Sequence, residues 1–279
     1  MQATLTFLGT GTSMGVPTLG CDCAVCASSV SLTGDPHTRR TRPSIFLQWD
    51  GHNVVIDTGP DFHAQAVRAG IRRLDAVLYT HGHADHIMGM DDLRPLTFHN
   101  PENLPLYADE PTAATLEHVF NYTFAPDLKK FYTYIAHVDL HRIPSTPGAE
   151  VALFGARFQR IPVTHGRQTI TGYRFGSAAY LTDLSALPDE SVPLLADLDV
   201  LILDALRREK HPTHSTLAEA LALVERLAPR RAYFTHISHG LDHATTNAEL
   251  PPHIRLAHDG LQITFDIAPN PISPLNPSS

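Results

Sequence analysis

The sequence predicts an α/β protein made of two mixed β-sheets stacked face to face, with helices on the outside. Three observations carry this expectation. Apolar runs of strand length alternate with helical patterns along most of the 279 residues, and both halves of the chain contain both kinds of element. Each strand-like run that ends in histidine or aspartate does so at its C-terminal end, where α/β sheets place ligands. Elements mixed in this way bury one sheet face against the other sheet and the second face under helices.

Taken in order, Thr4 to Leu8 is a strand running into the tight loop Gly9-Thr10-Gly11-Thr12-Ser13. Ser44 to Gln48 and Asn53 to Asp57 form a hairpin around Asp50-Gly51. A helix from Phe62 to Ala69 stops at Gly70, and Leu74 to Tyr79 is a buried strand. The Pro-rich stretch 100–148 reads as an insertion beside the active site, with a helix from Pro111 to Val119 and a less regular part from Tyr122 to Tyr134. Strands follow at Phe158 to Val163, Gly172 to Phe175, Ala178 to Leu181 and Val200 to Leu203. A helix from Ser215 to Leu227 precedes a last strand, Arg231 to Phe234. Residues 1–269 are expected to form one domain, and the Pro, Asn and Ser of 270–279 a mobile tail.

Composition narrows the function. The formal charge is −8, so a broad electropositive surface for nucleic acid is disfavoured. No apolar run approaches the roughly 20 residues of a membrane helix, and the N-terminus carries no signal-peptide pattern, so a cytoplasmic protein without a membrane partner is expected. Histidine is the anomaly, with 18 in a chain that has one Trp and four Met.

The densest group is His81-Gly82-His83-Ala84-Asp85-His86. His81 and His83 lie two apart after a strand, so extended backbone sends both imidazoles to one side, where one metal can take them. Asp85 and His86 fall at a helix start and aim at an adjacent second metal. Imidazole and carboxylate together suit zinc, manganese or iron rather than calcium. His165, Asp183 and His236 each follow an apolar strand and are the further candidates.

These residues, in this order, resemble the metallo-β-lactamase superfamily over residues 4 to 267, which implies an αββα sandwich. The resemblance implies that His81, His83 and His165 bind one metal, that Asp85, His86 and His236 bind the other, and that Asp183 bridges the two. Asp57, in Asp57-Thr58-Gly59, resembles the family's earlier aspartate motif and would orient a ligand histidine. Two metals sharing a carboxylate imply attack by a bridging hydroxide on phosphorus. His211-Pro212-Thr213-His214-Ser215-Thr216 resembles the element of the subgroup that holds tRNA 3′-processing endonucleases and phosphoribosyl cyclic phosphodiesterases, in which His214 would assist the leaving group. The plainer alternative is that His214 only caps the following helix, a task Ser215 can perform itself.

Cys21, Cys23 and Cys26 are all the cysteines of the chain and lie within six residues. That spacing favours a metal over disulfides, and three thiolates need a fourth ligand to close a structural zinc site. His239 is the best candidate, with His37 and His243 as substitutes. A redox-active thiol loop or a chance cluster is the competing reading. The loop together with His239 resembles the PhnP-like phosphodiesterases.

The expected function is therefore a dinuclear, Mn- or Zn-dependent phosphodiesterase with one structural zinc, acting on a small cyclic phosphodiester of the phosphoribosyl 1,2-cyclic phosphate type. A tRNA 3′-processing endonuclease and a non-catalytic cofactor-biosynthesis binding protein are the alternatives. A homodimer agrees with the resemblance. Arg39, Arg40 and Arg42 offer either a phosphate clamp or a solvated basic face.

Overall fold

The computed structural model describes residues 1–98, 100–125, 127 and 134–267. Its strands are β1 (Gln2–Gly9), β2 (Ser44–Trp49), β3 (His52–Ile56), β4 (Ala76–Leu78), β5 (Leu104–Asp109), β6 (Val138–Ile143), β7 (Glu150–Leu153), β8 (Ala156–His165), β9 (Gln168–Phe175), β10 (Ala178–Leu181), β11 (Val200–Asp204), β12 (Arg231–Thr235), β13 (Ile254–Leu256) and β14 (Gln262–Asp266). They form two sheets, ordered β14-β1-β2-β3-β4-β5-β6 and β13-β12-β11-β10-β9-β8-β7. The helices are α1 (Ala24–Val30), α2 (Phe62–Ala69), α3 (Ala84–Ile87), α4 (Arg94–Thr97), α5 (Glu110–Val119), α6 (Asn121–Phe124), α7 (Leu217–Leu227) and α8 (His243–Glu249).

Period-2 alternation explains the layers. Leu5, Leu47, Ile56 and Leu78 of the first sheet meet Phe158, Tyr173, Tyr180 and Ile202 of the second in one shared core. The opposite face of the first sheet packs under Phe62, Ile87, Ala113 and Leu116 of α2, α3 and α5. The outer face of the second packs under Leu217, Ala220 and Val224 of α7. The result is the expected αββα sandwich.

The β2–β3 hairpin turns through Asp50 and Gly51, both at positive φ, as a tight hairpin requires. Helix α2 ends at Gly70 in the left-handed conformation. Three expectations need correction. Residues 100–148 are not simply an insertion, because β5 and β6 extend the first sheet in parallel beyond β4. Pro105 disguised this: it lies in β5 before the pairing with β4 begins at Val77 and Leu106, so no ladder bond to β4 is lost there. The cap of α7 is Thr216, whose side chain accepts from the Glu219 amide, while the Ser215 hydroxyl donates to the Leu184 carbonyl. The strand read as Leu74 to Tyr79 is reduced to β4. The tail 270–279 and most of the irregular part of 122–134 lie outside the described residues. No helix among the described residues is long and apolar enough to cross a membrane.

A polar knot ties the loop after β1 to the segment around Ala257. The buried Arg40 guanidinium donates to Thr10 Oγ1 and to the Ala257 carbonyl, and it contacts His243 Nδ1 at 3.0 Å. His37 and His258 lie against His243, and Asp35 pairs with His37. Burial, reinforced by Arg40, pushes the His243 imidazole down to about 4. This folded value lies below the unfolded value of about 6.5, so the stability it contributes is complete above pH 6.5 and is lost as pH falls toward 4. The melting temperature should drop by several degrees on that descent, and by less in His243→Gln; parallel curves for the two proteins would reject the assignment.

Candidate metal centre

The chemistry-bearing residues sit where strands end. Asp57 follows β3, His165 closes β8, Asp183 lies two residues beyond β10, Asp204 closes β11, and His236 follows β12. Asp57, Asp183 and His236 have φ of 66°, 57° and 56°. Non-glycine residues seldom adopt this left-handed backbone, which costs of order 1–3 kcal/mol each. Here it turns each side chain out of its strand direction and into the site.

One ligand atom from each of His81, His83, His165 and Asp183 falls within 4.8 Å of all the others, and the same holds for Asp85, His86, Asp183 and His236. Asp183 belongs to both sets. Nε2 of His86 lies 3.4 Å from Asp85 Oδ2 and 3.2 Å from Asp183 Oδ1. Nε2 of His236 lies 3.5 Å from Asp85 Oδ2 and 3.4 Å from Asp183 Oδ2. A tetrahedral ion with bonds of about 2.0–2.1 Å has ligand–ligand edges of roughly 3.3 Å. Asp85 Oδ2, His86 Nε2 and His236 Nε2 are buried yet make no hydrogen bond, an arrangement that is costly unless a shared cation satisfies them. The residues present fit a pair of divalent metals.

Electrostatics agree. Burial opposes the charge of Asp183, but His236 and His86 outweigh it and hold the carboxyl well below the usual range. Burial likewise opposes Asp85, and His86 and His236 again hold it low. Burial disfavours a charged His86, yet Asp183, Asp85 and Asp57 drive its imidazole well above its ordinary value. Buried anions here demand positive charge, which cations supply as protons do.

A second layer fixes these groups. Asp57 Oδ2 accepts from His86 Nδ1 at 2.8 Å and from Thr80 Oγ1 at 2.8 Å, and Oδ1 accepts from the Thr80 amide. Through the His86 bond it would orient that ring, as the resemblance implies. A Cβ on Gly59 would lie 2.1 Å from the Asp85 carbonyl, so only glycine lets α3 approach this loop. His165 Nδ1 donates to the Thr213 carbonyl at 2.8 Å. His214 stacks on His236 with ring centroids 4.5 Å apart, and its Nδ1 donates to Asp204 Oδ2 at 2.8 Å. Asp204, fully buried, was not singled out from the sequence. The pattern that found Asp183, a carboxylate at the end of an apolar strand, would have found it.

Of the remaining candidates, His239 Nδ1 lies 3.2, 3.5 and 3.3 Å from the sulfurs of Cys21, Cys23 and Cys26. A tetrahedral zinc with three sulfurs and one nitrogen predicts about 3.5 Å. His37 and His243 belong to the polar knot instead. Arg40 is buried there too, and Arg42 pairs with Asp61 at 3.1 Å, so neither is a free phosphate clamp. Arg39 is exposed. His211 faces His214 at 5.1 Å between ring centroids.

The Asp57 contacts carry a test. Asp57→Ala should weaken metal affinity by about 10–100-fold, as loss of such a partner does elsewhere. Competition with a chelator, on protein whose fold is checked by circular dichroism, measures this, and unchanged affinity would remove Asp57 from the site.

The beta-lactamase superfamily domain matches residues 52–237. A crystal structure of a diphosphatase from the PhnP family superposes with a TM-score of 0.88 at 54% identity, covering 96% of this chain and 99% of that one. Zn(2+)-bound PqqB from Methylobacterium extorquens and the short form of human tRNase Z share the fold at 20% and 18% identity, with TM-scores of 0.73 and 0.68, over 93% and 95% of this chain and 99% of each of theirs. An octanoyltransferase of Porphyromonas gingivalis (strain ATCC BAA-308 / W83) is 36% identical over 265 residues, 93% of this chain and 51% of that protein, so this chain spans about half the length of that relative. The chain belongs to the metallo-β-lactamase superfamily of metal-dependent hydrolases and, within it, to the PhnP family.

Proposed function

We propose that this protein is a phosphodiesterase that hydrolyses a small cyclic phosphodiester of the phosphoribosyl 1,2-cyclic phosphate type. The observation that carries this reading is the His214–Asp204 pair beside the two donor sets. When bound, two divalent cations, manganese or zinc, supply Lewis acidity and a nucleophile at neutral pH. The chain supplies the rest. Asp204 accepts from Nδ1 of His214 and so fixes the ring, leaving Nε2 for the substrate. Stacking on His236 keeps the His214 ring beside that candidate ligand, which supports this role. His214, oriented by Asp204, can give an Nε2 proton to a departing alkoxide. Asp57 holds His86 in one tautomer throughout.

The relative that is 54% identical is a diphosphatase, which favours cleavage of a diphosphate linkage as the second reading. The two differ in leaving group. An alkoxide leaves poorly without a proton, whereas a phosphate leaves well without one. His214→Ala should therefore lower kcat about 10²–10³-fold on a cyclic sugar phosphodiester and far less on a p-nitrophenyl diester. ³¹P NMR of wild type and variant with the cyclic ester, a diphosphate diester and a precursor tRNA separates the readings. Turnover of the diphosphate alone would replace the first reading, and tRNA cleavage would favour the endonuclease.

The cysteine loop is read as a structural zinc site, in keeping with a cytoplasmic setting where thiols stay reduced. His239→Ala should lose one zinc per chain by elemental analysis and lower the melting temperature while both active-site metals remain. Full zinc content in that variant would assign the fourth ligand elsewhere.

A further inference from the structure

Beside His81, Gly82 and His83 the surface opens into a cavity of about 150 Å³, walled by Thr112 and Thr115 of α5 and by Gln168 and Thr169 of β9. A second cavity of about 330 Å³ continues it, with Asp109, Pro111 and Thr169 walling both and with Arg160 and Glu190 as its further charged lining. The two form one groove between the sheets, leading from the metal centre to Arg160.

Its chemistry is selective. Gln168 and Thr169 are exposed, and their side chains hydrogen-bond to no other described residue. Thr115 Oγ1 donates to the Pro111 carbonyl and keeps its lone pairs for a donor. Apart from the imidazoles of His81 and His83, no aromatic ring among the described residues lines either cavity. The Arg160 side chain is 4% exposed: Nε donates to Thr171 Oγ1 at 3.2 Å and Nη1 to the Ser145 carbonyl at 2.8 Å. Nη2 is 3.8 Å from Asp109 Oδ2, too far for a hydrogen bond. This nitrogen is held near Asp109 by charge rather than by a hydrogen bond, and a ligand oxygen in the groove would give it an acceptor. An apolar substituent would leave these groups unpaired, and beyond the two imidazoles a nucleobase would find no ring among the described residues to stack on.

We propose that this groove is the subsite for the non-reacting substituent of the substrate, and that Gln168, Thr115, Thr169 and Arg160 select a compact, hydroxyl-rich group over a nucleobase or an alkyl chain. The inference rests on the phosphodiesterase reading and adds to it the residues that set specificity. Arg160 also ties the two sheets through Asp109, so the exposed Gln168 is the cleaner probe.

The test uses metal-loaded full-length protein and three p-nitrophenyl phosphodiesters that share a leaving group and differ in the other ester: glyceryl, hexyl and thymidine 5′. The glyceryl ester should have the highest kcat/KM. In Gln168→Ala the glyceryl-to-hexyl ratio of kcat/KM should fall about fivefold, chiefly through KM, and in Arg160→Lys by more. A preference for the hexyl or thymidine ester, or an unchanged ratio in Gln168→Ala, would overturn the proposal. If none of the esters is hydrolysed, the phosphodiesterase reading fails, and calorimetry of glycerol 1-phosphate against hexyl phosphate decides the groove by itself. Tighter binding of glycerol phosphate that weakens in Gln168→Ala upholds it; equal binding of the two refutes it.

Discussion

Asp57, Asp85 and Asp183 are buried at one end of the sandwich among the same imidazoles, and compensation of that negative charge organises what surrounds it. Carboxylates removed from water are tolerated only when paired and hydrogen-bonded. Asp57 meets the condition within the protein, through Thr80 and His86. Asp183 meets it in part, since Thr182 Oγ1 donates to its Oδ1. Asp85 Oδ2 has no hydrogen bond at all. The ordering is informative: the carboxylate that orients is satisfied by the chain, and those facing the donor sets are left for cations.

Such a centre needs side chains turned toward a point that regular strands do not face. The left-handed turns at Asp57, Asp183 and His236 accomplish this, and each is held by bonds on its flanks. The Asp57 amide donates to the Leu78 carbonyl, and the next amide, of Thr58, to the His86 carbonyl. After Asp183, the Leu184 amide donates to Asp204 Oδ2, so the carboxylate that holds His214 also secures the turn of the one shared by both donor sets. After His236, the Ile237 amide donates to the Thr10 carbonyl. Strain of this size persists where the surroundings determine the backbone more than once over.

Much of this was legible in the sequence because it follows local rules. His-x-His after an apolar run fixes direction by strand periodicity, and three further strands ending in His, Asp and His repeat the signal. Helix α2 stopped at Gly70 for the same local reason. What escaped depends on partners distant in the chain. β6 and β14 are edge strands whose pairing with β5 and β1 lacks a local signature, and Pro105 argued against β5 until the register placed it outside the β4 ladder. The pairing of His214 with Asp204, ten residues away and on another element, likewise has no local signature. Arg40 sits in a basic run, which usually means a solvated face; only the fold reveals that it is buried against Thr10 and Ala257.

The cysteine loop shows how a distant element can reach the metal centre. His239 lies three residues beyond His236, so the four donors around Cys21, Cys23 and Cys26 anchor the same short segment that carries an active-site ligand. They do not anchor it by themselves. Ile237 is hydrogen-bonded on both sides to the N-terminal loop, through Thr10 and Thr12. That loop is fixed in turn by Asp259, which accepts from Thr10 and Thr41 through both amides and both hydroxyls. Because these ties are parallel, losing the cysteine donors loosens the segment without freeing it. His236 would keep its turn through the Thr10 bond, and its ring would keep the stacking of His214. Zinc at the loop would therefore act on catalysis by degree, through the precision with which His236 is held, while its larger effect falls on the stability of the N-terminal region, where α1 carries the buried Cys26.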